Sequence, residues 1–168
     1  KDLLKTPVVL DLADAPFQVL STDTAGVLSF PKAEKDHSIY LLETSLRAER
    51  FMTGKLKVTS PARWEIFING ESKMSKENAE DSISGASTRE VNLRLEPEAD
   101  YEITIKLLSG SKDKAVPTLK CELIKDDKFK DITCFVSPEQ KKRFALPNTV
   151  YGNRVIGVSI SPDGKYLL

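Results

Sequence analysis

A single histidine and two cysteines are all that 168 residues supply of the side chains that most often carry acid–base, nucleophilic or zinc chemistry. His37 stands in the charged stretch Lys35-Asp36-His37-Ser38 and reads as an exposed loop residue with no second histidine to share a metal. A serine hydrolase needs a nucleophile, a base and a group that orients the base. No Gly-x-Ser-x-Gly elbow occurs: Gly157-Val158-Ser159 fails at its fifth position, Ser161, and lies on an expected strand with no helix after it. The acidic residues do not form a calcium loop, and Gly85-Ala86-Ser87 is not a glycine-rich phosphate loop. No catalytic, cofactor-binding or metal-ligating residue is therefore assigned, no cofactor is expected, and the chain reads as non-catalytic.

Charge of one sign is also missing. Twenty-five basic residues cancel twenty-five acidic ones, which leaves no field to gather nucleic acid or an anionic membrane. The basic cluster Lys141-Lys142-Arg143 is only three residues long and reads as an exposed approach to the next strand. No run approaches the roughly 18 apolar residues that a membrane helix needs, so no membrane insertion is expected. The opening Lys1-Asp2-Leu3 reads as a mature or trimmed start. Helical periodicity is weak, with Leu46 to Phe51 and Pro138 to Arg143 as its two short candidates.

What the chain does have is period-two alternation. Ser38 to Leu42, Lys55 to Thr59, Arg63 to Ile68, Glu90 to Leu95 and Tyr101 to Leu107 all alternate or nearly so, and carry the β-branched and aromatic residues that suit a half-buried pleated surface. Turn residues separate them at Ser60-Pro61, Asn69-Gly70, Pro97 to Asp100, Ser109-Gly110-Ser111 and Pro162-Asp163-Gly164. Asn69-Gly70 accepts positive φ and closes a hairpin, and Trp64, Ile66 and Ile68 before it share one face that a core would claim. Many short strands with almost no crossover helix argue for an antiparallel sandwich. Between the strands, Ser72 to Arg89 is polar and of mixed charge, and reads as a solvated connection.

Cys121 is in phase with Leu119 and Leu123, and Cys134 with Ile132 and Val136. If Lys125 to Asp131 is a tight hairpin centred on Asp127-Lys128, the two sulfurs face each other and a disulfide is open. Two small buried hydrophobic residues is the reading preferred here.

The stretch from Phe51 to Lys73, with Trp64 on its second strand and Asn69-Gly70-Glu71 at its end, resembles the galactose-binding-like jelly rolls that accompany glycosidases and peptidases. Val91 to Glu96 followed by Tyr101 to Lys106 resembles the paired strands late in such domains, so the resemblance spans Leu28 to Ile124. It implies an all-β, antiparallel jelly-roll sandwich over residues 1–140. In residues 141–168, Val158-Ser159-Ile160-Ser161-Pro162-Asp163-Gly164-Lys165-Tyr166-Leu167-Leu168 resembles the first hairpin of a β-propeller blade of the prolyl oligopeptidase and dipeptidyl peptidase family, and of periplasmic propellers. Such motifs recur every 40 or so residues, and here there is one copy. A sandwich followed by a propeller resembles secreted peptidases of that family in Bacteroidetes, whose hydrolase domain comes last.

By that resemblance the chain is an extracytoplasmic accessory domain, periplasmic or secreted, packed on its own propeller and hydrolase domains. The alternative is a carbohydrate-binding module of jelly-roll type. That alternative wants exposed aromatics, and Tyr151, Phe51 and Phe129 are the ones free of core phase. A glycan or a peptide is the ligand left open, and the apolar edge Val155 to Ile160 is expected to pair between molecules if the propeller is missing.

Overall fold

A computed structural model describes residues 18–138. Nine strands form in this span: β1 (Val27–Ser29), β2 (His37–Ala48), β3 (Met52–Thr59), β4 (Arg63–Ile68), β5 (Glu71–Lys76), β6 (Thr88–Leu95), β7 (Asp100–Gly110), β8 (Thr118–Lys125) and β9 (Cys134–Ser137). They build a four-stranded sheet in the order β1-β8-β3-β6 and a five-stranded sheet in the order β5-β4-β7-β2-β9, with every pairing between strands antiparallel. Among the described residues the one helical element is a single 3-10 turn, Asp127–Phe129.

Alternation decides which face of each strand is buried. In β4, Trp64, Ile66 and Ile68 turn inward and Arg63, Glu65 and Phe67 outward, and in β6 Val91, Leu93 and Leu95 turn inward from Glu90, Asn92 and Arg94. These residues meet Met52, Leu56 and Val58 of β3, Ile103, Ile105 and Leu107 of β7, and Leu46 of β2 in one cluster contributed by both sheets. Burial of side chains of this size stabilises by about 1.5–3 kcal/mol each, so the facing sheets hold each other.

Chain order and sheet order differ throughout. Every connection except β4 to β5 passes from one sheet to the other. The Asn69-Gly70 hairpin forms as expected, with φ of 52° and 78°. Three expectations are corrected. Val91 to Glu96 and Tyr101 to Lys106 do not pair with each other: β6 lies beside β3 and β7 between β4 and β2. Leu46 to Phe51 is not helical, because Leu46 to Ala48 complete β2 against β7 and β9. The segment from Ser72 onward is not wholly a solvated connection: Glu71–Lys76 is β5, and Lys76 is buried.

The hairpin and the burial expected of the cysteines are corrected as well, while the preferred reading without a disulfide stands. No hairpin joins their strands, because β8 belongs to the four-stranded sheet and β9 to the five-stranded one, and both thiols are free. Cys121 shares the inner side of its strand with Leu119 and Leu123, opposite Val58, yet its side chain is exposed. Cys134 Sγ lies 3.2 Å from Met52 Sδ, and burial pushes its thiol above the usual range while the Lys125 charge pulls the other way. His37 is not in a loop; it is the exposed first residue of β2, opposite Gly110. Most of the second helical candidate, the propeller-like hairpin in residues 141–168 and Tyr151 lie outside the described residues.

Candidate functional site

The strongest candidate is a cleft of about 330 Å³ lined by Ile68, Asn69, Glu71, Lys73, Asn92, Leu93, Arg94 and Tyr101. Its position follows from sheet order. β5 is an outer strand of one sheet and β6 an outer strand of the other, and on this side of the sandwich the two edges lie beside each other. A register shift opposite Ile66 and Phe67 leaves Lys73 as the extra residue in β5. At the far end Arg89 Nη1 of β6 donates to the Ser75 carbonyl of β5 at 3.0 Å and bridges the two edges. At the near end nothing bridges them among the described residues, and Ile68 and Leu93 give the cleft an apolar floor.

Several planar polar groups around the floor are tied to the protein on one side. Asn69 Oδ1 accepts the Glu102 N–H at 2.9 Å, which turns Nδ2 away from that bond. Glu71 Oε2 accepts from Lys73 Nζ at 2.5 Å and leaves Oε1 without a partner among the described residues; this contact and the Lys73 charge hold the Glu71 carboxyl below its ordinary range. Arg94 donates from Nε to Glu96 Oε1 at 2.9 Å, leaving Nη1 and Nη2 without a partner among the described residues. The Tyr101 hydroxyl accepts the Glu96 N–H at 2.9 Å, so its own proton can still be donated. The result is a shallow site of oriented donors with carboxylate and amide acceptors.

Arg94 joins this cleft to an aromatic pair. Its guanidinium lies 5.2 Å from the Phe51 ring centroid, and Phe51 meets Phe129 edge-on at 5.8 Å and 82°. Phe51 and Phe129 are thus engaged with each other and are not free surface aromatics.

The other polar clusters are internal ties. Lys76 Nζ donates to the Ser60 carbonyl at 2.5 Å and to Glu80 Oε2 at 2.7 Å, and Glu80 Oε2 also accepts the Ser87 N–H at 2.9 Å. No group of three or more His, Cys, Asp or Glu residues is placed to hold a metal among the described residues.

The sequence assigned none of the cleft residues. Asn69 reads there as turn chemistry, and Asn92 and Arg94 as the wet face of a strand, which are correct local readings. Their meeting depends on β5 and β6 being neighbouring edges of different sheets, and no local signal carries that.

No protein-family model and no curated protein matches the sequence. Two solved structures are similar in part. One is a β-glucosidase from Kluyveromyces marxianus in complex with glucose, at 15% identity and a TM-score of 0.48 over 61% of this chain and 13% of that one. The other is a PA14 sugar-binding domain from an RTX adhesin, at 17% identity and a TM-score of 0.39 over 59% of this chain and 52% of that one. The chain therefore spans about an eighth and about half of their lengths, and both TM-scores fall below the level that establishes a common fold.

Proposed function

We propose that this chain is a non-catalytic binding module of jelly-roll type whose ligand is a carbohydrate held in the cleft between β5 and β6. The strand pairs support the jelly roll. β1 pairs with β8, β2 with β7, β3 with β6 and β4 with β5, the pattern of one long hairpin wound into two sheets, with β9 added beside β2.

The observation that carries the ligand class is the set of half-engaged polar groups over an apolar floor. Sugars present hydroxyls that both donate and accept beside apolar C–H faces. Asn69 Nδ2, the Arg94 Nη groups and the Tyr101 hydroxyl offer donors, Glu71 Oε1 offers an acceptor, and Ile68 and Leu93 offer the floor. The test is nuclear magnetic resonance titration with neutral oligosaccharides, following the side-chain amides of Asn69 and Asn92. Saturable shifts confined to the cleft are expected, and Asn92→Ala, which has no side-chain bond to lose among the described residues, should weaken binding about fivefold, the worth of about 1 kcal/mol. Shifts elsewhere, or none, would remove the reading.

A second reading, a domain that docks on a neighbouring propeller, draws on β9. This outer strand exposes Phe135 and Val136 at 47% and 68%. Its test is association of the chain with any propeller encoded after it, with Phe135→Ser and Val136→Ser expected to abolish the contact.

A further inference from the structure

We infer that the cleft takes neutral saccharides through a pair of adjacent hydroxyls, and that Arg94 sets this preference; the inference rests on the carbohydrate reading above. The orientation of Arg94 comes first. Glu96 holds its Nε at 2.9 Å, and the guanidinium lies on Phe51, which Phe129 braces edge-on. Two contacts thus define its plane and leave the Nη1 and Nη2 edge as a fork of parallel donors. Such a fork fits either a carboxylate or two neighbouring hydroxyl oxygens.

Charge decides between the two. The cations of the site, Lys73 and Arg94, each already contact a carboxylate: Glu71 at 2.5 Å and Glu96 at 2.9 Å. An incoming carboxylate therefore meets a balanced field and two resident anions, whereas hydroxyls meet no repulsion. Acceptors point the same way. Glu71 Oε1 and the Asn92 amide oxygen can accept from ligand hydroxyls, and a carboxylate group has no proton to give them. Glu96 and Phe51 are positioning residues, and Arg94 is the one that touches the ligand.

The experiment is calorimetric titration of the full chain at pH 7 and low salt with cellotetraose, maltotetraose, mannotetraose, xylotetraose and tetragalacturonate. At least one neutral tetrasaccharide is expected to bind tenfold or more tightly than tetragalacturonate. Glu96→Gln keeps an acceptor for Nε and removes the charge, so it should narrow that ratio at least threefold, which a merely structural role would not do. Arg94→Lys keeps the charge and loses the fork, and should weaken neutral binding tenfold; it tests the assignment independently should Glu96→Gln fail to fold. Tetragalacturonate binding as tightly as the best neutral ligand, an unchanged ratio in a folded Glu96→Gln, or unchanged affinity in Arg94→Lys overturns the inference and leaves the carbohydrate reading standing. No saccharide binding at all overturns both.

Discussion

Arg63 and Asp113 meet as a fork, Nη1 donating to Oδ2 at 2.8 Å and Nη2 to Oδ1 at 3.1 Å, and Asp113 Oδ2 also accepts the Gly110 N–H at 2.7 Å. One carboxylate thereby ties the start of β4 to the end of β7 and the turn that follows. Asp113→Ala orphans both the guanidinium and a backbone donor, and is expected to cost about 2 kcal/mol in urea unfolding. The Lys114 to Asp81 pair has side chains 72% and 74% exposed, and Lys114→Ala should change stability by no more than about 0.5 kcal/mol.

Lys76 is a buried cation, with its side chain 3% exposed, and Glu80 and the Ser60 carbonyl are its partners. Glu80→Ala strands that charge and frees the Ser87 N–H, so a loss of about 2–3 kcal/mol is expected. Lys76→Met removes the buried charge but takes a donor from the Ser60 carbonyl and from Glu80; because Glu80 is partly exposed and keeps the Ser87 N–H, it should cost less than Glu80→Ala. Limited proteolysis gives a second readout: cleavage within residues 77–87 should rise in Glu80→Ala, because that loop loses the bonds through which Glu80 holds Lys76 and the Ser87 N–H.

Acid should weaken the fold through the same two carboxylates. Burial opposes ionisation of Asp113, but the bonds from Arg63 and Gly110 and the Arg63 charge outweigh it, and its carboxyl is held below the usual value of 3.8. Burial likewise opposes ionisation of Glu80, and the bonds from Lys76 and Ser87 with the Lys76 charge outweigh it, holding it below 4.5. A depressed folded pKa gives stability that is present above the unfolded pKa and lost as pH falls through the folded one. The contribution of these two carboxylates is thus expected to be complete above about pH 5 and to be lost below it. Glu43 runs the other way: burial first and the Glu102 charge second raise its carboxyl above 4.5, so its protonation favours the folded state. Glu43→Gln should therefore raise stability at pH 7 and leave it unchanged near pH 3, as read from urea midpoints at the two values.

The alternating stretches that the sequence marks as strands each fall inside an observed strand, and Trp64, Ile66 and Ile68 face the core as their phase demands. Period two is a property of a strand by itself, which is why it is legible. Pairing is not. Val91 and Tyr101 stand close in sequence and their strands lie in different sheets, whereas Val27 pairs with Lys120 across most of the domain. The Asn69-Gly70 hairpin is the one connection within a sheet, and it is the pairing that turn chemistry could announce. The cleft suffers most from this, because Glu71 and Asn92 become neighbours only after both sheets are laid edge to edge.

Two glycines separate close approach from backbone freedom. A Cβ on Gly54 would collide with the Ile124 carbonyl oxygen and lie 3.2 Å from Lys125 Cα, both backbone atoms of the neighbouring strand that cannot turn aside. Gly54→Ala must push β3 from β8 in the middle of the four-stranded sheet, and is expected to cost about 3 kcal/mol, the upper end of the usual range for overpacking. A Cβ on Gly70 meets nothing within 4 Å, but its φ of 78° is a conformation that side chains rarely adopt. Gly70→Ala should therefore cost about 1 kcal/mol, from the dihedral alone. Urea unfolding of the two variants reads the difference directly. Equal losses would mean that β8 yields to the added methyl, and that the close β3 to β8 approach is not a constraint on the fold.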